Sequence, residues 1–371
     1  MKPYNVPFGD LVRQYRAQQA ELDAAALRVL HSGWYILGPE VRAFEDEWAK
    51  YCGVHHCVSV GNGTEALHLA LRVLGLQPGD EVITVANAGG YGAIAAVQAG
   101  LKPRFADVDD ETHTMSPASL AAAITPRTKA ILPVHLYGRP ASIREIMAIA
   151  EQHGLPVIED CAQSHGAMVA GRMTGTFGQL GTFSFYPTKN LGALGDAGAI
   201  ITDDDALADK LRKLRVYGWD RKYHNAEPGG INTRLDELQA ALLGCKLPLL
   251  NQWNELRRER ARWYHELLRD VPGISLPDIT DGHVFHLFVI QVHGGRRDAL
   301  KQALTEQGIG TDVHYPLPTH LQPAFHDLGY EPGELPVTER LAESVLSLPC
   351  YPELTREEVA AVCAAMRSAQ A

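Results

Sequence analysis

Cysteine is scarce, at 6 in 371 residues, and spread over positions 52, 57, 161, 245, 350 and 363. No CxxC pair and no His/Cys run of zinc-site spacing occurs, so neither a disulfide scaffold nor a zinc centre is expected. No metal is expected elsewhere. No window approaches 18 uninterrupted apolar residues, and the start MKPYNVPFGD lacks an apolar signal core. A cytoplasmic protein with reduced thiols and no membrane span is the expectation. Positive charge is also short: 34 Lys and Arg against 44 Asp and Glu give −10. Such a chain repels nucleic acid and anionic membranes, so an anionic ligand would need a local pocket. Repeats and low-complexity tracts are absent. Neither GxxxxGK[ST] nor GxGxxG occurs, which argues against nucleoside triphosphates and dinucleotides.

What is present is ordinary globular composition, 46% hydrophobic and 21% charged. At roughly 150 residues per domain the length suggests two domains. Short apolar runs alternate with longer helical periods, which argues α/β. Helices are expected at 18–30, 40–51, 91–99, 142–153, 251–269 and 296–308. Strands are expected at 81–87, 103–109, 129–138, 155–160, 181–190, 197–204, 284–292 and 311–316. Apolar strands between helices imply a largely parallel sheet covered on both faces. The helix at 251–269 reads as a connector, with its RRERAR run at 257–262 on an exposed face. Thr355 and Glu358 have capping-box spacing. Residues 1–250, including an N-terminal arm, are expected to form a large domain, and 251–371 the connector and a small α+β domain.

Three segments carry chemistry. In GNGTEAL (61–67) a strand meets a Gly-rich turn and then a helix near Thr64. A helix N-terminus offers free amides and a positive dipole end to a phosphate, and Thr64 adds a hydroxyl; a plain turn with a Thr cap fits as well. In LPVIEDCAQSHGA (155–167), Asp160 ends a buried strand, with Gln163 and His165 close behind. Ligands bind beyond the carboxyl ends of such strands. A carboxylate there needs a cation or a donor, unless it caps the next turn. In GTFSFYPTKNLGALGDAG (181–198), Lys189 follows an aromatic strand that contains Ser184. Desolvation would make its amine a nucleophile for a carbonyl, although surface-loop lysines are commoner. Pyridoxal 5'-phosphate needs all three features together: amides for its phosphate, a lysine for its aldehyde and a carboxylate for its ring nitrogen.

Nearly the whole chain resembles the DegT/DnrJ/EryC1/StrS-type pyridoxal-phosphate sugar aminotransferases. The carrying segments are GNGTEAL, LPVHLYG, IEDCAQSHGA, FSFYPTKNLGALGDAGA, INTRLDELQAA and HYPLPTHLQPAF. The resemblance implies a fold-type I transferase, with a mostly parallel seven-stranded sheet and a smaller C-terminal α+β domain. It also implies a homodimer with shared active sites. Lys189 would form the Schiff base and Asp160 would face the pyridinium nitrogen. Gln163 would sit near the ring hydroxyl, while Gly63, Thr64 and Ser184 would hold the phosphate. Asn232 would reach the phosphate of the other subunit's cofactor. Tyr315, His320, Arg234 and Trp34 would contact substrate. Two positions depart from the family pattern. Gly89 stands where a stacking aromatic is usual, which points to Tyr91 instead, and Cys161 replaces a small apolar residue. Related dehydratases carry histidine in place of Lys189, so its presence favours transamination. The implied reaction passes an amino group from L-glutamate to a nucleotide-linked keto-sugar, with pyridoxamine 5'-phosphate formed midway. KYHNAEPGGINTRLDELQAA and VFHLFVI resemble most the enzymes that aminate carbon 3 of a dTDP-3-keto-6-deoxyhexose. A 4-keto or UDP-linked acceptor, or a non-catalytic regulator that binds the cofactor, are the alternatives.

Overall fold

The run EVITV becomes the strand Glu81–Val85, buried at every residue, and AGAIIT supplies Gly198–Thr202, likewise buried throughout. Strands without a solvent face need cover on both sides. A computed structural model describes residues 5–370, so the first four residues of the expected N-terminal arm lie outside the described residues. One seven-stranded sheet runs, from edge to edge, His56–Val60, Gly198–Thr202, Leu180–Ser184, Ile158–Asp160, Thr128–Ile131, Glu81–Val85 and Lys102–Ala106. Among these strands Gly198–Thr202 alone runs antiparallel to its neighbours. Pro133 has no N–H to give the ladder. The central join therefore rests on the bridges Ile131–Val157 and Val134–Asp160, with the Asp160 N–H donating to the Pro133 carbonyl at 2.9 Å. No helix among the described residues is long and apolar enough to cross a membrane.

Beyond the helix Leu250–Leu268 lies an antiparallel sheet of Ile274–Ser275, Phe288–Val292 and Val345–Leu348. Its apolar core gathers Tyr264, Phe285, Phe288 and Leu346 with Val359 and Met366 of the last helix. That helix opens on the expected capping box: the Thr355 N–H donates to Glu358 Oε2 at 2.9 Å, and the Glu358 N–H to Thr355 Oγ1 at 3.2 Å.

Several expectations fail for local reasons. The strand expected at 284–292 starts only at Phe288. Residues 284–287 instead bond to the turn Leu136–Gly138, with the Val284 N–H on the Gly138 carbonyl and the Leu287 N–H on that of Tyr137. Segment 311–316 pairs only at Asp312, with Ser347. The RRERAR run is not an exposed face, because Arg257 and Arg260 are buried and donate to backbone carbonyls. The helix Glu237–Lys246 had no sequence expectation. Its apolar residues run almost all the way round, which erases the amphipathic period.

Candidate active site

Three segments meet at the sheet's carboxyl edge, Gly63 against Ser184 and Asp160 in the field of Lys189. At the first, the strand His56–Val60 gives way to the helix Gly63–Val73. Asn62, rather than Thr64, is the cap, its side chain accepting the Glu65 N–H at 2.9 Å. Thr64 therefore stands in the first turn with its hydroxyl uncommitted to capping. The glycine at 63 is dictated by proximity: a Cβ there would lie 2.6 Å from Ser184 Cβ. Ser184 ends the neighbouring strand Leu180–Ser184, and its Oγ accepts the Tyr186 N–H at 3.3 Å. A helix N-terminus, two hydroxyls and a side-chain-free approach together suit a phosphate.

Asp160 closes the strand Ile158–Asp160 and is 5% exposed. Burial pushes its pKa up, while the Ala162 N–H at 3.0 Å and the charge of Lys189 hold it down. Lys189 follows a turn in which its own N–H bonds the Tyr186 carbonyl. Burial brings its amine down from 10.5 to about 8, opposed by Asp160. The two groups thus act on each other, as amine and counter-charge at one site. Glu159, next to Asp160, faces the other way. Its oxygens accept from the amides of Gly175, Phe177 and Gly178 and from His135 Nε2, which is the protonated ring nitrogen because His135 Nδ1 accepts the Ala141 N–H. The buried group His135, Glu159 and Cys161 has metal-ligand chemistry, yet both Glu159 oxygens are already committed. His165 packs among Trp48, Phe183 and Phe185, and burial lowers its pKa to about 3, so it is a neutral core ring.

The cavity measures about 460 Å³, and Lys189, Gln163, Tyr91 and Tyr315 line it. Gln163 is fixed in place: its Oε1 accepts the Tyr137 N–H at 2.6 Å and its Nε2 donates to the Tyr315 hydroxyl at 3.3 Å. Gly89 has φ +72°, and a Cβ on it would come within 2.9 Å of both the Tyr91 and Tyr315 rings. The glycine at the expected stacking position thus lets two other rings close over it. Tyr91, 49% exposed at the start of the helix Tyr91–Gln98, is free to turn a face to a ligand.

Other candidates lie elsewhere. His320 is buried, pairs with Glu339 at 3.1 Å and packs against Phe105 and Tyr330. Its expected substrate contact is not supported, because an apolar shell surrounds the ring. Trp34 is 54% exposed, with its Nε1 on the Ile36 carbonyl at 2.8 Å, and does not line the cavity of its own chain. Arg234 and Asn232 flank Thr233, whose Oγ1 accepts the Gly61 N–H at 2.8 Å. Asn232 is exposed, and neither residue lines the cavity. Arg257, His286 and His314 also line the cavity, and the sequence had assigned them no site role. For His286 a signal existed, a polar residue inside the apolar run VFHLFVI. Asn190 Nδ2 donates to the Val284 carbonyl at 3.1 Å, so its Oδ1 must face His286 Nδ1, 3.1 Å away. His286 therefore carries its proton on Nδ1.

These features fit the cofactor that the three segments had suggested. A family model of the DegT/DnrJ/EryC1/StrS aminotransferases matches residues 16–367. The chain is 46% identical over 365 residues to the dTDP-3-amino-3,4,6-trideoxy-α-D-glucose transaminase of Streptomyces venezuelae, covering 98% of this chain and 95% of that one. It is 45% identical over 364 residues to the UDP-N-acetyl-3-dehydro-α-D-glucosamine 3-aminotransferase of Acidithiobacillus ferrooxidans, covering 98% and 97%. It superposes with a TM-score of 0.95 on the crystal structure of S. venezuelae DesV in complex with a ketimine intermediate, at 45% identity, covering 99% and 98% of the two chains. The sheet order, the lysine–aspartate pair and these likenesses agree: the chain belongs to the DegT/DnrJ/EryC1/StrS aminotransferase family.

Proposed function

We propose that this aminotransferase moves an amino group from L-glutamate to carbon 3 of a dTDP-linked 3-keto-6-deoxyhexose. The observation that carries the chemistry is Lys189, whose amine is lowered to about 8 beside Asp160. At pH 7.5 about a quarter of such an amine is free base, against about one part in a thousand at its usual pKa. The S. venezuelae transaminase supports the sugar. A UDP-linked acceptor is the second reading, favoured by the A. ferrooxidans relative.

Pyridoxal phosphate, when bound, supplies an electrophilic aldehyde and a protonated ring that accepts electrons. Gly63 and Thr64 would hold its phosphate through helix N-terminal amides, and Ser184 and Thr64 through their hydroxyls. Asp160 would face the ring nitrogen, whose positive charge would keep the buried carboxylate ionised. Gln163 Nε2 would donate to the ring hydroxyl and Tyr91 would cover a ring face. As the free amine, Lys189 Nζ would bond the aldehyde carbon with loss of water. Once the donor's amine displaces it, Nζ would be free again to take the donor's α-proton, and in the second half to deliver a proton to the sugar carbon that gains nitrogen. Tyr315, beside Gln163, would meet the sugar. Donor and acceptor use this one site in turn, a ping-pong order. In this reading residues 1–250 hold the cofactor and 251–371 close the cavity from the C-terminal side, in a cytoplasmic enzyme. Exposed Trp34, Tyr35, Ile36, Tyr186 and Leu194 support a homodimer in which Asn232 serves the partner's phosphate.

The test is the visible spectrum of the holoenzyme. Its absorption band should fade with L-glutamate and return with the dTDP-3-keto-sugar. A protein that takes up no pyridoxal phosphate would overturn the reading, and recovery with only a UDP-sugar would select the second.

A further inference from the structure

Arg257 is a buried cation that makes no ion pair among the described residues. It lies on the helix Leu250–Leu268 and is 5% exposed. Its neighbours Arg258 and Arg260 each pair with a glutamate, whereas among the described residues Arg257 pairs with none. Burying an unpaired charge is costly, so something must compensate. Part of the compensation is visible: Nη1 donates to the carbonyls of Phe285, His286 and Cys350 at 3.3, 3.3 and 2.5 Å. These bonds anchor one end of the guanidinium. The other end is unused, for Nε is buried without a partner and nothing among the described residues bonds Nη2. In a planar guanidinium, Nε–H and Nη2 point the same way and form a fork that matches two carboxylate oxygens.

That residue lines the same cavity as Lys189, and among the described residues no other lysine or arginine does. His286 links them, its carbonyl held by Arg257 and its ring in the field of both cations. We propose that the Nε–Nη2 edge of Arg257 receives a carboxylate of the amino donor. This rests on the glutamate half of the proposed function. A carboxylate fits better than the acceptor's diphosphate, because a donor's carboxylates stay close to the reacting amine, whereas the sugar ring separates a diphosphate from the keto carbon. Glu353 shares the cavity and acts electrostatically on Arg257. Its negative charge would weaken any second anion there.

The test uses holoenzyme, with glutarate as an unreactive dicarboxylate and thymidine diphosphate as a probe of the acceptor end, both followed by calorimetry. Arg257→Gln should weaken glutarate on the order of 30-fold or more, as loss of one partner from a buried charge pair does. Thymidine diphosphate should bind as before. Glutarate affinity within threefold of wild type in a folded variant would overturn the proposal, as would weakening confined to thymidine diphosphate. Should Arg257→Gln not fold, Glu353→Gln at alkaline pH should tighten glutarate about threefold; unchanged or weaker binding would overturn the proposal. Its failure is separable from that of the function: wild type whose band fades with L-glutamate, with glutarate indifferent to Arg257→Gln, sinks only the assignment of Arg257. A band that L-glutamate leaves untouched sinks the donor reading itself.

Discussion

Two lysines in different parts of the molecule are brought to about 8 by burial, Lys189 at the cavity and Lys246 at the end of the helix Glu237–Lys246. Their surroundings differ. Lys246 is 1% exposed and spends its amine on the Gly192 carbonyl at 2.7 Å and Gln14 Oε1 at 3.5 Å. Lys189 opens onto about 460 Å³ of cavity, with Asp160 in electrostatic reach. A depressed pKa is therefore shared by a tether and a nucleophile. Open space tells them apart, since Lys246 too has a carboxylate, Glu353, in electrostatic reach.

Lys189→Ala should lower transamination by at least about 10³-fold, since it removes both nucleophile and proton carrier. Rates close to wild type would erase the distinction between the lysines. Asp160→Asn should cost about 10²-fold in kcat while the protein still takes up cofactor, because it removes charge and keeps shape. Stopped-flow kinetics of the glutamate half-reaction would show it. Gly63→Ala places a methyl 2.6 Å from Ser184 Cβ and should weaken pyridoxal phosphate about tenfold, measured by equilibrium dialysis. Lys246→Met should leave turnover within about threefold. Its mark is in stability: the unfolded chain holds this proton up to pH 10.5, whereas the folded one releases it from about 8. Wild-type apoprotein should therefore gain stability over the variant as pH rises through that window, on the order of 1–3 kcal/mol, read by urea melts. Parallel pH curves would contradict this.

The readable part of the site was the part written locally. Gly63, Asp160, Ser184 and Lys189 sit at strand ends or in the turns just after them, where a few neighbouring residues decide the geometry, and the structure brings all four to one sheet edge. The alternation of strand and helix gave the sheet for the same reason. What escaped depends on distant partners. Arg257 looked like part of an exposed charge run, and only the carbonyls of Phe285, His286 and Cys350, from later in the chain, draw it inward. His320 looked available until Glu339 and an aromatic shell enclosed it. The Asn62 cap was overlooked because Thr64 nearby has similar chemistry. Gly89 read as a missing stacker, since the sequence does not reveal that Tyr91 and Tyr315 close over it.

Lys189, and not the equally depressed Lys246, would bond the cofactor. Holoenzyme reduced with borohydride fixes the linkage, and peptide mass mapping then locates it. The pyridoxyl group is expected on the peptide spanning Lys189, with Lys246 unmodified. A modified Lys246, or an adduct missing from Lys189, would contradict it.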